Sequence, residues 1–170
     1  LNPATGAQIG SFDIPGSAGT TNIGLQILPA AIPSLGGTAV AAGTLLVTNG
    51  SASFDKTFAL DPTTGAELAV LDLGQNLDPV AGVFHPASGD LFILDGSPNE
   101  VVRINPDTGA VVSRFATPFD INFGGLAVDP VTNNLWIGSN QTSVVAEVEI
   151  DGTLVRTIDL HPFNRIHGLQ

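Results

Sequence analysis

The residues that could carry chemistry here are three histidines and many carboxylates, and neither group forms a recognisable catalytic or metal-binding motif. His85, His161 and His167 show no H-x-H or H-x-x-x-H spacing, which would bring two imidazoles to one metal ion. His85 and His161 each precede a proline, which indicates turn residues. The chain has no cysteine, so it offers no thiolate and no disulfide. It also lacks the G-x-S-x-G, phosphate-binding and dinucleotide-binding motifs.

Several carboxylates lie in a recurring segment that predicts a tight hairpin turn. The segment occurs as LNPATGA at the start of the chain, as LDPTTGA from position 60 and as INPDTGA from position 104. Asp or Asn can accept bonds from the next backbone amides, Pro presets φ, and Gly supplies a positive φ. Asp151-Gly152 predicts a shorter turn of the same kind. Cation binding is the alternative, but no D-x-D-x-D-G spacing is present, so the structural interpretation is favoured.

The overall charge disfavours several classes of partner. With 5 basic and 16 acidic residues among 170, the formal net charge is −11. Such a field repels nucleic-acid phosphates and anionic lipid headgroups, so we expect no nucleic-acid partner. No apolar run is long enough to cross a bilayer, so we expect no membrane insertion. The chain begins within a repeat and contains no methionine, and we therefore expect a piece of a longer protein.

A repeat in the forties organises the elements that would position these side chains. Gly82, Gly125 and Gly168 follow one another at a constant step of 43 residues. Each full repeat contains four short apolar runs separated by turn residues, which is typical of a β-propeller blade with four antiparallel strands. The apolar residue in the second run, which is Leu46, Phe92 or Trp136, is expected to pack between blades. The predicted fold is therefore all-β, a fragment of a propeller.

We predict one incomplete propeller domain over residues 1–170, with three full blades and partial blades at both ends. The predicted parts are the end of a blade (1–15), a blade with an insertion (23–73), two regular blades (80–117 and 123–160) and the start of a further blade (166–170). The insertion covers residues 30–42 and has no clean period. It is interpreted either as a lid or partner-binding loop, or as a tolerated insertion without a role.

The runs GLAVDPVTNNLWIGSN and GVFHPASGDLFILDG resemble the NHL and streptogramin-lyase-like (SMP-30-like) propeller superfamily. Its blades open with a G-[IL]-A-[VF]-D-x-x-x-G-x-[LI]-[WY]-V pattern. The resemblance covers nearly the whole chain and implies ligand binding at the mouth of the central channel. The mouth is built by the loops that join one blade to the next and the second strand to the third. The superfamily includes enzymes, signalling domains and secreted bacterial proteins, so the resemblance does not fix a function.

Mapped on this sequence, the resemblance places two sets of polar residues at the mouth. The candidates for ligand binding are Asn49, Asp78, Asp95, Asn122, Asn140 and His167. A lactonase-type site would use carboxylate and amide oxygens on one Ca²⁺ or Mg²⁺, which Asp95, Asn49, Asn122 and Asp78 could supply. A lyase-type site would need His and Glu as acid and base; His167 lies in a suitable loop, but the only nearby loop glutamate, Glu100, belongs to a different blade.

Two hypotheses for the function follow. The first is a non-catalytic propeller module of a secreted or cell-surface bacterial protein, which binds a protein or glycan through the mouth loops and needs no cofactor. Its other partner would be the remaining blades of the parent chain. The alternative is a metal-dependent lactonase or lyase of the same superfamily.

Overall fold

The computed structural model describes residues 4–8, 10–14, 22–50, 55–74, 77–163, 165–166 and 168–169. Within these ranges every regular element is a strand. In chain order they are β1 (Asn22–Ile27), β2 (Ile32–Leu35), β3 (Thr38–Val40), β4 (Leu45–Gly50), β5 (Lys56–Leu60), β6 (Glu67–Asp72), β7 (Pro79–His85), β8 (Asp90–Asp95), β9 (Glu100–Ile104), β10 (Val111–Ala116), β11 (Gly124–Val128), β12 (Leu135–Ser139), β13 (Val144–Val148) and β14 (Leu154–Asp159). The described part holds no helix long and apolar enough to span a bilayer.

The strands form three four-stranded sheets, each with neighbouring strands antiparallel. Blade 1 has the order β1-β4-β5-β6, blade 2 the order β7-β8-β9-β10 and blade 3 the order β11-β12-β13-β14. The strands named first lie innermost, with β7 of blade 2 beside both β1 of blade 1 and β11 of blade 3. This arrangement confirms the predicted fold class, an all-β propeller fragment with three full blades.

The recurring turn joins the third and fourth strands of a blade and uses its polar residue locally. In blade 1 the Oδ1 atom of Asp61 accepts the amides of Thr63 at 2.8 Å and Thr64 at 2.9 Å. These two amides, that of Thr64 first, hold the pKa of Asp61 below its ordinary value. Asn105 accepts the equivalent amides in blade 2 without a charge. The shared task is therefore to close the hairpin.

Two apolar cores lie between the blades. The first joins blade 1 to blade 2 and contains the fully buried side chains of Leu46, Phe84 and Ile93. The second joins blade 2 to blade 3 and contains Phe92 and Ile137. Leu46 and Phe92 thus pack between blades as the repeat alignment predicts, because alternate residues of a strand face opposite neighbours.

The insertion in blade 1 forms a hairpin that belongs to the core. Its strands β2 and β3 bury Ile32 and Leu35 completely against residues of both blade 1 and blade 2. At the hairpin turn, the amide of Gly36 donates to the carbonyl of Pro106 in blade 2 at 2.9 Å, and Ser34 hydrogen-bonds Asp107. The sequence left two alternatives for this segment, a lid or partner-binding loop and a tolerated insertion, and its role beyond this packing remains a prediction. The hairpin fastens two blades together at the end opposite the mouth.

Two glycines near the propeller axis lie where neighbouring inner segments approach each other closely. A Cβ atom on Gly24 would lie 2.5 Å from the amide nitrogen of Gly82 and 2.9 Å from the Cα atom of Ala81, both in blade 2. A Cβ atom on Gly125 would meet the backbone of Gly168 and Leu169. At Gly24 and Gly125 the neighbouring inner segments therefore approach so closely that a side chain would clash with backbone atoms.

The two ends of the chain make contacts that resemble those between blades. Phe12 lies against Gly65 of blade 1, as Phe115 of blade 2 lies against Gly152 of blade 3. At the other end, the amide of Ile166 donates to the carbonyl of Ser139 at 3.1 Å. The assignment of residues 1–15 and 166–170 to further blades remains a prediction that these contacts favour.

Candidate functional site

The candidate residues from the sequence occupy two environments at the mouth. Asn49 and Asp95 are buried at the ends of the second strands β4 and β8. Asp78 and Asn122 are exposed in the loops before β7 and β11, and Asn140 is half-buried after β12. His167 lies outside the described residues.

The buried residue at the end of the second strand holds the loop that leads into its own blade. In blade 2 the Oδ1 atom of Asp95 accepts the amide of Asp78 at 3.0 Å and that of Ser97 at 3.2 Å. In blade 3 the hydroxyl of Ser139, at the matching position, donates to the carbonyl of Asp120 at 2.7 Å. The end of the second strand therefore positions a mouth loop in both blades, which is a structural task.

Other polar residues of the mouth are used in the same way. Asn99, which has a φ of 71°, accepts the amide of Ile121 on its Oδ1 atom at 2.6 Å. Asn140 accepts the amide of Phe123 at 3.3 Å. These amide side chains replace strand pairing where the chain crosses from one blade to the next. Asp78, Asp120 and Asn122 are exposed at the surface of the mouth.

The carboxyl group of Asp95 is electrostatically unlike its counterparts in the other blades. Asp95 is 1% exposed, and its Oδ2 atom has no hydrogen-bond partner among the described residues. Burial raises the pKa of Asp95, and the negative charge of Asp78 raises it further. The amides of Asp78 and Ser97 and the charge of Arg114 act in the opposite direction.

We expect replacement of Asp95 by asparagine to stabilise the protein at neutral pH. Because the folded-state pKa of Asp95 lies above the ordinary value, the folded protein keeps this proton to higher pH than the unfolded chain does. Ionisation of Asp95 lowers the free energy of unfolding. This loss is absent below the ordinary aspartate pKa and complete above the folded-state pKa of Asp95. Asparagine keeps the oxygen that accepts the loop amides and removes the charge.

Urea unfolding of the wild type and of Asp95→Asn as a function of pH measures this effect. The two stabilities should converge as the pH falls and separate as it rises, with Asp120→Asn as a control at an exposed carboxylate. A wild type that gains stability relative to Asp95→Asn with rising pH would contradict the expectation.

Three oxygen-bearing groups come together beside Gly96, the residue that follows Asp95. A Cβ atom on Gly96 would lie 3.3 Å from the Oδ2 atom of Asp78 and 3.4 Å from the carbonyl oxygen of Asn122. The amide of Gly96 also donates to the carbonyl of Asp78 at 2.9 Å. Of the predicted site residues, the structure thus brings together Asp78, Asp95 and the backbone of Asn122. Gly96 was missed from the sequence, where its position directly after the second strand was the available signal.

The histidines that the structure describes lie away from this site. His85, which the sequence predicts to be a turn residue, is the last residue of β7 and is 1% exposed. Its Nε2 atom lies 2.8 Å from the carbonyl of Asn133 in blade 3, while its Nδ1 atom accepts the amide of Ser88 at 3.1 Å. It therefore links two blades at the end opposite the mouth. His161 is exposed after β14.

The basic side chains are mostly occupied within the blades. The ion pairs are Lys56–Asp72 at 3.9 Å, Arg103–Asp90 at 2.6 Å, Arg114–Glu100 at 3.3 Å and Arg156–Glu147 at 2.6 Å. These pairs use four of the five lysine and arginine residues of the chain. Among the described residues, no three His, Asp or Glu side chains are grouped so that they could hold a metal ion.

The space around the propeller axis is apolar. A cavity of about 790 Å³ runs along the inner strands toward the end opposite the mouth, where Leu25, Ile27, Val83 and Leu126 line it. A second cavity of about 420 Å³ lies nearer the mouth and is lined largely by glycines and aliphatic residues. No titratable side chain is among the described residues that line either cavity. The described part of the channel therefore offers no acid or base for catalysis.

Comparisons with known proteins support the fold. A Bacteroides caccae protein of unknown function matches with a TM-score of 0.54 and 10% identity, over 74% of this chain and 45% of that one. AztD of Citrobacter koseri matches with a TM-score of 0.50 and 11% identity, over 76% of this chain and 37% of that one. A candidate 6-phosphogluconolactonase of Bacteroides uniformis has a TM-score of 0.49 and 16% identity, over 91% and 47%.

The first two similarities, to the Bacteroides caccae protein and to AztD, show a shared fold and no more. The chain spans less than half the length of each of the three structures. No protein-family model and no curated protein matches the sequence. Membership of the NHL and streptogramin-lyase-like superfamily is therefore not confirmed and remains a prediction.

Proposed function

We propose that this chain is a non-catalytic propeller module of a secreted or cell-surface bacterial protein, which binds a protein or glycan ligand through its mouth loops. The main support for the proposal is that two sets of side chains at the mouth have different tasks. Buried side chains such as Asp95 and Ser139 fix the loops, while Asp78, Asn122 and Phe123 are exposed on them. Rigidly held loops with exposed polar and aromatic side chains suit recognition.

The character of the axial channel also favours binding over catalysis. General acid–base chemistry needs a titratable group within hydrogen-bond reach of the substrate. The described lining of both axial cavities is aliphatic, with glycines and a few amides. The negative charge of the chain further favours a neutral or cationic ligand over nucleic acid or an anionic membrane.

The alternative is a metal-dependent lactonase or lyase, and one observation favours it. Asp78, Asp95 and the carbonyl oxygen of Asn122 gather near Gly96, and oxygen ligands are what Ca²⁺ and Mg²⁺ prefer. Such a site would hold a divalent ion with these three oxygen-bearing groups and water.

Binding at the mouth can be tested with the ¹⁵N-labelled 170-residue chain. We expect some member of a panel of neutral oligosaccharides and unstructured peptides to shift the amide signals of the mouth loops in NMR spectra. Asn122→Ala and Phe123→Ala should weaken that binding, whereas Glu67→Ala, an exposed change in β6 at the opposite end, should not. The absence of any shift at the mouth would contradict the proposal. A rise in melting temperature with millimolar Ca²⁺ or Mg²⁺, together with lactone hydrolysis, would favour the alternative.

A further inference from the structure

In the described part of the chain, each terminal blade has one face that no complete blade covers. In blade 1, Leu46 packs toward blade 2, so its neighbours Leu45 and Val47 lie on the opposite face. Leu25 and Ile27 are the partners of these neighbours in β1 and therefore share this free face. Leu25 is 46% exposed and Ile27 is 57% exposed. Both belong to the innermost strand, so the open part of the face lies next to the propeller axis.

The free face of blade 3 is open farther from the axis. Trp136 and Ile158 lie on the face opposite to that of Ile137, which packs against blade 2. Ile158 belongs to the outermost strand and is 39% exposed. Trp136 is half-buried, and the guanidinium carbon of Arg156 lies 5.2 Å from its ring centroid. The matching residue of blade 2, Phe92, is fully buried against blade 3. Blade 3 therefore exposes the kind of surface that forms a joint between blades.

The two ends of the chain cover complementary parts of these faces. We call residues 10–14 the outer segment and residues 165–166 and 168–169 the inner segment. The outer segment lies on blade 1, where Phe12 contacts Gly65 beside the outermost strand. The inner segment lies on blade 3, where a Cβ atom on Gly125 in the innermost strand would meet the backbone of Leu169. Blade 1 thus lacks the inner part of a neighbouring blade, and blade 3 lacks the outer part.

We propose that two copies of this chain join head to tail into a closed ring. In each of the two joints, the inner segment of one copy and the outer segment of its partner lie side by side between blade 3 of the first and blade 1 of the second. The inner segment then covers Leu25 and Ile27 of the partner subunit. The partner's outer segment covers Trp136 and Ile158 of the first copy. Each exposed apolar region is covered by a segment that is already held on the facing blade.

The fold favours a second copy as the occupant of both faces. This chain spans 45% of the Bacteroides caccae protein and 37% of AztD, so those folds contain more chain than three blades. Three full blades from each copy and two composite blades stay within the range of about four to eight blades that is typical of propellers. Two equal joints related by a two-fold axis close the ring and leave no free face.

Sedimentation equilibrium of the 170-residue chain tests this inference. We expect a dimer at micromolar concentrations, without larger species. Ile27→Lys and Ile158→Lys should each weaken the dimer about tenfold or more, because each places an ammonium group in an apolar joint. Val112→Lys is the matched control and should leave the dimer unaltered, since Val112 is 51% exposed in blade 2, away from both joints. Circular dichroism checks that each variant keeps the wild-type fold.

The fluorescence of Trp136, the only tryptophan of the chain, reports which faces meet. Covering its half-buried ring moves the emission to shorter wavelength, so we expect a blue shift that follows the dimer fraction as the protein concentration rises. Ile27→Lys changes blade 1, whereas Trp136 belongs to blade 3. This variant should nevertheless require a higher concentration for the same shift, by the factor that it adds to the dissociation constant. Only a head-to-tail joint links these two positions.

Several results would overturn the inference. A wild-type chain that stays monomeric would do so, and this is the result expected if further blades of a longer chain cover both faces. Open-ended polymers, a dimer that neither Ile27→Lys nor Ile158→Lys weakens, or a dimer without the shift in Trp136 emission would each do so as well. The proposed function depends on the mouth loops of blades 2 and 3, and none of these outcomes decides it.

Discussion

Replacing Gly24 by alanine is expected to lower the free energy of unfolding by about 3 kcal/mol. The added Cβ atom would lie 2.5 Å from the amide nitrogen of Gly82 and 2.9 Å from the Cα atom of Ala81. Both atoms belong to the backbone of blade 2, so relief requires two inner strands to separate. Urea unfolding followed by circular dichroism measures the change.

Gly168 provides a matched control because it has the same place in the sequence repeat. A Cβ atom on Gly168 meets no other atom within 4 Å, and its φ does not lie in the left-handed region. We expect Gly168→Ala to leave the stability within about 0.5 kcal/mol of the wild type. Equal losses for Gly24→Ala and Gly168→Ala would show that close approach of blades 1 and 2 is not the reason for Gly24.

Truncation of Leu35 to alanine is expected to cost about 2–5 kcal/mol of stability. Leu35 lies in the inserted hairpin and is fully buried among residues of blades 1 and 2. Its removal would leave a cavity where the hairpin fastens the two blades. The loss should appear as a lower urea midpoint with an unchanged slope.

Leu68 is the comparison for this change, since it is a leucine in a strand of blade 1 that is 49% exposed. We expect Leu68→Ala to cost less than about 1 kcal/mol, because folding buries only part of the Leu68 side chain and its removal therefore loses little buried apolar surface. A Leu35→Ala variant as stable as Leu68→Ala would mean that the insertion is tolerated and does not fasten the blades.

The blades could be predicted from the sequence because their defining features are local and repeated. A turn such as the one at Asp61 needs only the residues within it, and the same turn recurs at Asn105. Glycine in an inner strand also has a cause at two blade junctions: a Cβ atom on Gly24 or Gly125 would meet backbone atoms of the next inner segment. Because several blades share these constraints, they appear in the sequence as a constant period.

The packing of the inserted hairpin and the grouping of oxygen atoms beside Gly96 could not be predicted, because they depend on contacts across blades. Leu35 and Ile32 occur once, so no period indicates that they are buried against blade 2. Asp95 aligned with Asn49 as a polar residue of the mouth, yet its burial and its neighbour Asp78 become visible only in the folded chain. The sequence alone does not show that the acidic member of the aligned set Asn49, Asp95 and Ser139 is buried near a second carboxylate.

The most direct test of the whole account is the measurement of NMR cross-peaks between the backbone protons of Gly24 and Gly82. These residues are far apart in sequence and belong to different sheets, yet a Cβ atom on one would touch the amide of the other. Blades arranged about a common axis predict strong cross-peaks between β1 and β7, with none between β6 and β7. Cross-peaks that instead pair β6 with β7 in one continuous sheet would contradict the account.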